Sequence, residues 1–145
     1  MLRNNVVTVD LGKIRQNYLL QKSLLPRKTE IMPVVKADAY GHGAVLVAKT
    51  LQAMGADMLA VACLSEAQEL RAAGITMPIL CLGQTDPAYA PELLAADVTQ
   101  AVADLETGKA LSAAAAWGLW LCFLALAVFP GKKAVEKPKR LRYNR

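Results

Sequence analysis

The residues most able to do chemistry lie in one run of ten, Val34–Gly43, VVKADAYGHG. Lys36 directly follows an apolar stretch of strand length, IMPVVK, so its amine stands at the C-terminal end of a strand. A primary amine held there, partly withdrawn from water, can form a Schiff base with an aldehyde cofactor. Gly41 and Gly43 flank His42 and let the backbone pass close to a ligand. The Tyr40 hydroxyl is able to donate to a phosphate oxygen. Each residue also has a plainer reading. A lysine after a strand is commonly a solvated charge, a lone histidine between glycines organises its loop, and Asp38 caps a turn through its carboxylate. On residue types alone both sets of readings stay open.

Such a lysine needs elements to carry it, and the punctuation of the chain supplies them. Asn5–Val9 is a short β-branched run, and Asp10 is placed to cap a helix over 11–25 that ends before Pro26. Ile31–Lys36 reads as a strand followed by the loop Ala37–Gly43. A helix over 44–54 stops at Gly55, and Asp57–Cys63 is the next strand. Ser65 with Gln68 forms a capping-box pattern for a helix over 66–73, which Gly74 ends. Pro78–Leu82 is a third strand, after which Asp86-Pro87 opens a helix to about Ala96. Val98–Ala103 is a fourth, with a last helix from Asp104.

Short apolar strands alternating with helices imply a parallel sheet covered by helices. About four βα units are half of a (β/α)8 TIM barrel, or most of an open doubly wound sheet. No G-x-G-x-x-G follows the first strand, which favours the partial barrel.

Composition narrows the function classes. The net charge is +5 over 145 residues, but residues 132–145 alone carry seven Lys or Arg against one Glu. The remaining body is close to neutral, which argues against nucleic-acid binding, where basic residues spread over a folded face. Cys63, Cys81 and Cys122 are far apart, and with a single histidine no zinc spacing can be assembled, so no metal site is expected. They read as reduced thiols of a cytoplasmic protein, and the N-terminus has no apolar run of signal-peptide length.

VVKADAYGHG is similar, residue for residue, to the cofactor-attachment signature of the alanine racemases. Residues 1–113 resemble that family throughout, including V-D-L near the start, DMLAVACLSEAQELRAAGI, PILCLG and VTQAVADLE. The resemblance implies an N-terminal racemase barrel that binds pyridoxal 5'-phosphate. It implies that Lys36 holds the cofactor and acts as one catalytic base, that Tyr40 contacts the cofactor phosphate, and that Val34 and Leu82 face the cofactor. It further implies isomerase chemistry on alanine, supplying D-alanine for peptidoglycan, and the family's homodimer.

The family's later features are not found in these residues: a D-T-G-M-G-R-like segment, further phosphate loops, and a second β-domain with the opposite-face tyrosine. The chain is therefore expected to be incomplete and inactive alone, with unstable sheet edges. Residues 114–145 read as a separate, atypical segment, because Ala110–Gly131 holds no charged residue and a basic tail follows. An altered terminus, a transmembrane anchor over 110–129 and an unusually apolar barrel helix are the three readings of it. The alternatives for the whole are a non-catalytic pyridoxal-phosphate-binding barrel protein and a membrane-associated protein.

Overall fold

A computed structural model of the chain describes residues 7–128, with side chains through residue 116. Helix α1 (Leu11–Leu24) starts at Asp10, whose carboxylate accepts the N–H groups of Gly12 and Lys13 at 2.8 and 3.2 Å. This cap satisfies two of the donors that every helix start leaves open. Val7–Val9 precede it without sheet pairing, so the strand expected over Asn5–Val9 is not formed among the described residues. Tyr18 is the one residue of α1 that is buried, and its ring packs into the core.

Three parallel strands make the sheet: β1 (Leu59–Val61), β2 (Ile79–Cys81) and β3 (Val98–Gln100), in the order β1-β2-β3. The expected strand over Ile31–Lys36 is reduced to a parallel bridge between Val34 and Ala60, which sets this segment beside β1. Val35 donates to the Ala60 carbonyl at 2.8 Å and Ala60 to the Pro33 carbonyl at 2.9 Å. Pairing then stops, because the chain turns at Lys36. Four consecutive segments thus lie side by side in chain order, each reached through a crossover. A doubly wound sheet reverses its strand order partway, whereas a barrel wall does not. The fold is α/β, part of a TIM barrel.

Register separates the faces. Val34, Ala60, Leu80 and Thr99 form one row across the sheet, and Val61, Cys81 and Gln100 the next. Successive side chains of a strand point to opposite faces. Val35, Val61 and Cys81 are buried beneath the helices, while Val34 and Leu82 are 39% and 42% exposed on the other face. Helices α3 (Ala44–Ala53) and α4 (Leu64–Ala72) bring Val47, Ala48, Leu51, Ala67 and Leu70 onto the covered side.

After β2, Asp86 accepts the Ala88 N–H and opens a 3-10 turn (Pro87–Tyr89) that runs into α5 (Ala90–Ala95). Asp104 then accepts the backbone and side-chain groups of Thr107 at the start of α6 (Leu105–Val128). These bonds hold the Asp104 carboxyl below its ordinary pKa. Helix α6 crosses Ala113 without a break, and Leu111, Ala114 and Ala115 pack near Ala90 and Leu93 of α5. Among the described residues no helix is long and apolar enough to cross a membrane. Most of the span considered over 110–129, and the whole basic tail, lie outside the residues whose side chains are described.

Candidate active site at the C-terminal rim of the sheet

Lys36 stands where the first segment leaves the sheet, at the rim where barrel enzymes gather their reactive groups. It is half-buried, and the residue before it, Val35, is 2% exposed and bonded to Ala60. The backbone beyond it could not have been anticipated from residue types. Helix α2 (Lys36–Gly41) is a left-handed turn: Ala37, Asp38, Ala39 and Tyr40 have φ between 51 and 55° and ψ between 39 and 52°. Each such non-glycine residue costs about 1–2 kcal/mol relative to its right-handed form. Four in succession persist only because the surroundings fix them. Backbone strain of this kind concentrates at ligand and catalytic sites.

The fixing bonds are specific. Ala39 donates to the Val35 carbonyl at 3.0 Å, and Gly43 to the Asp38 carbonyl at 3.0 Å. The Asp38 carboxylate accepts the Ala44 N–H at 2.6 Å, capping α3 from across the turn. His42 Nδ1 lies 3.0 Å from the Ala39 carbonyl, so its ring ties the turn to itself. The turn-capping reading of Asp38 and the loop-organising reading of His42 both have their geometry here. Gly43, at φ 85°, completes the exit into α3.

The candidate residues are brought to one rim. Val34 lies on the uncovered face immediately before the lysine's segment ends. Leu82 extends from β2, two strands away, at a spacing of about 10 Å. Tyr40 projects from the left-handed turn and is 61% exposed. Gly83, the residue after Leu82, packs so closely that a Cβ there would meet the Ala62 carbonyl oxygen at 2.5 Å. The adjoining rim is braced by Gln100, which donates to the Gly83 and Ala101 carbonyls at 2.6 and 2.7 Å and accepts from Thr85.

One residue at this rim was not singled out from the sequence. The capping box expected from Ser65 and Gln68 does not form: α4 begins at Leu64, and Ser65 Oγ lies 3.2 Å from Cys63 Sγ instead. Glu66, between them, sends its carboxylate to the strand ends, accepting the Ala37 N–H and the Ala62 N–H at 2.7 Å each. An acidic residue in the first turn of a helix after a strand was the available signal. Its partner 29 positions away was not legible.

The residues present fit pyridoxal phosphate at its aldehyde end. Lys36 offers a primary amine that makes no ion pair among the described residues, where Lys109–Glu106 is the pair formed. Val34 and Leu82 are apolar and partly exposed on the uncovered face, and Tyr40 is exposed on the turn.

Comparisons with known proteins agree with this fold. The family profile described as "Alanine racemase, N-terminal domain" matches residues 9–122. The chain is 50% identical over 107 residues to an alanine racemase of Desulfovibrio desulfuricans, covering 74% of this chain and 29% of that protein. It is similar to the solved alanine racemase of Clostridium difficile 630, with a TM-score of 0.73 and 41% identity, over 79% of this chain and 32% of that one. A histidine racemase from Leuconostoc mesenteroides shares the fold over 73% of this chain, with a TM-score of 0.67 and 34% identity. The chain thus spans about a third or less of the length of these proteins.

Proposed function

From the premise that the chain belongs to the alanine racemase family, we propose that it carries the lysine-bearing part of a pyridoxal-phosphate-dependent amino-acid racemase acting on alanine. The observation that carries this reading is the strained left-handed turn placed directly after Lys36 at the sheet rim. A chain without a use for that rim gains nothing from holding four residues in a costly conformation. The substrate is the finer part of the proposal. Alanine follows from the racemases of that name among its relatives, while the histidine racemase shows that this portion of the fold also serves a protein named for another side chain.

In this reading Lys36 would hold the cofactor covalently at rest, and its amine, released when the substrate's own amine takes its place, would move the proton at the substrate α-carbon on one face. When bound, the cofactor withdraws electron density from that carbon. Val34 and Leu82 flank the ring and exclude water, and the Tyr40 hydroxyl donates to the phosphate. Racemisation also needs an acid–base group on the opposite face. We assign that group to a region of the relatives beyond the portion this chain matches, so the 145 residues alone are expected to bind without turning over. Homodimerisation, a cytoplasmic location and a place in supplying D-alanine for peptidoglycan belong to the same proposal. So does the division into a barrel portion, 1–113, and an apolar and basic segment, 114–145, which rests on composition.

The test is borohydride reduction of the chain with pyridoxal phosphate, followed by peptide mapping and an assay of L-alanine to D-alanine conversion. The label is expected on the Lys36 peptide, with conversion no faster than free cofactor gives. Label concentrated on Lys132 or Lys133 would remove Lys36 from its role. Conversion well above background and abolished by Lys36→Ala would show that these residues assemble both faces.

A further inference from the structure

Glu66 is the group at the rim that the proposed chemistry leaves without a task. Its position is not that of an ordinary acidic residue in a first helical turn. Such a residue answers the open N–H groups of its own helix and the positive end of the dipole. Glu66 reaches past its helix to two strand ends: Oε1 accepts the N–H of Ala37, and Oε2 accepts the N–H of Ala62, both at 2.7 Å.

These two amides lie directly beyond the last backbone pairing. Between the first segment and β1 the ladder ends with Val35 donating to Ala60. The left-handed turn carries Ala37 away from the sheet, so no carbonyl of β1 receives its N–H. The Glu66 carboxylate fills the gap as a rung made from a side chain. Lys36 is consequently held on both sides, through Val35 by the sheet and through Ala37 by Glu66. Both carboxylate oxygens are engaged by backbone, and no ion pair joins Glu66 to Lys36 among the described residues. An amine that must attack an aldehyde is thereby placed without being tied up by the acid that places it.

We propose that Glu66 is a positioning residue for Lys36: it sets the lysine's backbone, and hence the reach and orientation of its amine, by bridging Ala37 to Ala62. This inference rests on the reading of Lys36 as the cofactor-holding residue. Gln at position 66 keeps the size but cannot accept at both ends, because its amide nitrogen only donates. Asp keeps the charge but is one methylene too short to span both strands.

The experiment uses the full chain with pyridoxal phosphate and compares Glu66→Gln and Glu66→Asp with the unsubstituted protein. Readouts are cofactor Kd, visible circular dichroism of the bound cofactor, thermal midpoint, and the borohydride-labelled peptide. The expected result is label still on Lys36, a Kd raised roughly tenfold through misplacement of the amine, and a weakened visible dichroism in both variants. Lower stability with unchanged Kd and dichroism would reduce Glu66 to a structural brace and overturn the proposal. If neither variant folds, hydrogen exchange on the unsubstituted chain decides: the Ala37 and Ala62 amides must be protected, and rapid exchange at either refutes the bridge. Label away from Lys36 in the unsubstituted protein defeats the parent reading, and this one with it. An intact Lys36 label with indifferent variants defeats this one alone.

Discussion

Helix α4 carries opposite devices at its two ends. At its first turn the Glu66 carboxylate collects two backbone N–H groups from the C-terminal rim of the sheet. At its last turn the Arg71 guanidinium donates to four backbone carbonyls at the other edge: Ile75 and Met77 at 2.8 Å, Ala96 at 2.8 Å and Asp97 at 3.0 Å. Acid at the start and base at the end both suit the helix dipole. The surroundings differ. The lower edge turns through Gly55 and Gly74, residues at home at positive φ, with Asp97 as its single non-glycine there among the described residues, and Gln52 Oε1 accepts the N–H groups of Thr76 and Met77. The rim forces Ala, Asp, Ala and Tyr into the same region. Stability is laid down at the lower edge, and part of it is drawn on at the rim, as expected when one face of a barrel holds the structure and the other holds the ligand.

Arg71 is where the lower edge is most vulnerable. Replacement by methionine keeps the stem and removes all four donations, leaving carbonyls of two turns without partners. A loss of about 2–4 kcal/mol is expected in denaturant unfolding, with cofactor labelling at Lys36 unchanged under folding conditions. A loss below about 0.5 kcal/mol, the range of an ordinary surface change, would mean that the lower edge does not hold the fold. Burial lowers the Arg71 pKa, an effect that the nearby Asp97 opposes, yet an arginine remains charged throughout the working range.

The rim should respond in the opposite direction and by less. Ala37→Gly relieves one strained residue at an exposed position. Relief of about 1–2 kcal/mol is offset by the greater freedom of an unfolded glycine. Net stability is expected to hold or rise by up to about 1 kcal/mol, while cofactor affinity falls because the turn is less firmly fixed. A destabilised variant with full affinity would show that the left-handed geometry is not under strain.

The smallest effect lies just beneath the rim. Cys81, the last residue of β2, is fully buried, and burial raises its thiol pKa against the weaker pull of the Thr85 and Gly83 bonds. The folded chain therefore keeps this proton to higher pH than the unfolded chain does. Its contribution is complete below the ordinary thiol pKa and declines as pH rises above it. Stability measured across alkaline pH should fall more steeply in the unsubstituted chain than in Cys81→Ala, and equal slopes would remove the thiol from the account.

Much of the covered face was readable from sequence, because it depends on local rules. Asp10, Asp86 and Asp104 cap the helices that their positions promised, and the strands at β1, β2 and β3 fall inside the apolar runs expected to hold them. The rim was readable only in its residues. Ala and Tyr carry no preference for left-handed backbone and Asp only a modest one, so the turn after Lys36 is held by its bonds, the local Asp38 cap on Ala44 and the long-range Glu66 bond to Ala37. The strand expected through Lys36 stops early for the same reason. Glu66 escaped notice because its function depends on a segment far away in the chain, and Ser65-x-x-Gln68 offered a more familiar pattern that the helix does not use.

Gly83 has a consequence for variation at the rim. Gly43 is glycine for its dihedral angles, and the space beside it is open. Asparagine, which visits that backbone region more readily than most residues, is the expected substitute there. At Gly83 the obstacle is a carbonyl oxygen at 2.5 Å, which excludes alanine as firmly as tryptophan unless the two strand ends move apart. In a library randomised at both positions, position 43 should return a short alphabet and position 83 a single letter. An accepted larger residue at 83 would come from chains in which the loops after β1 and β2 have separated, so the codon doubles as a reporter of whether the rim is assembled.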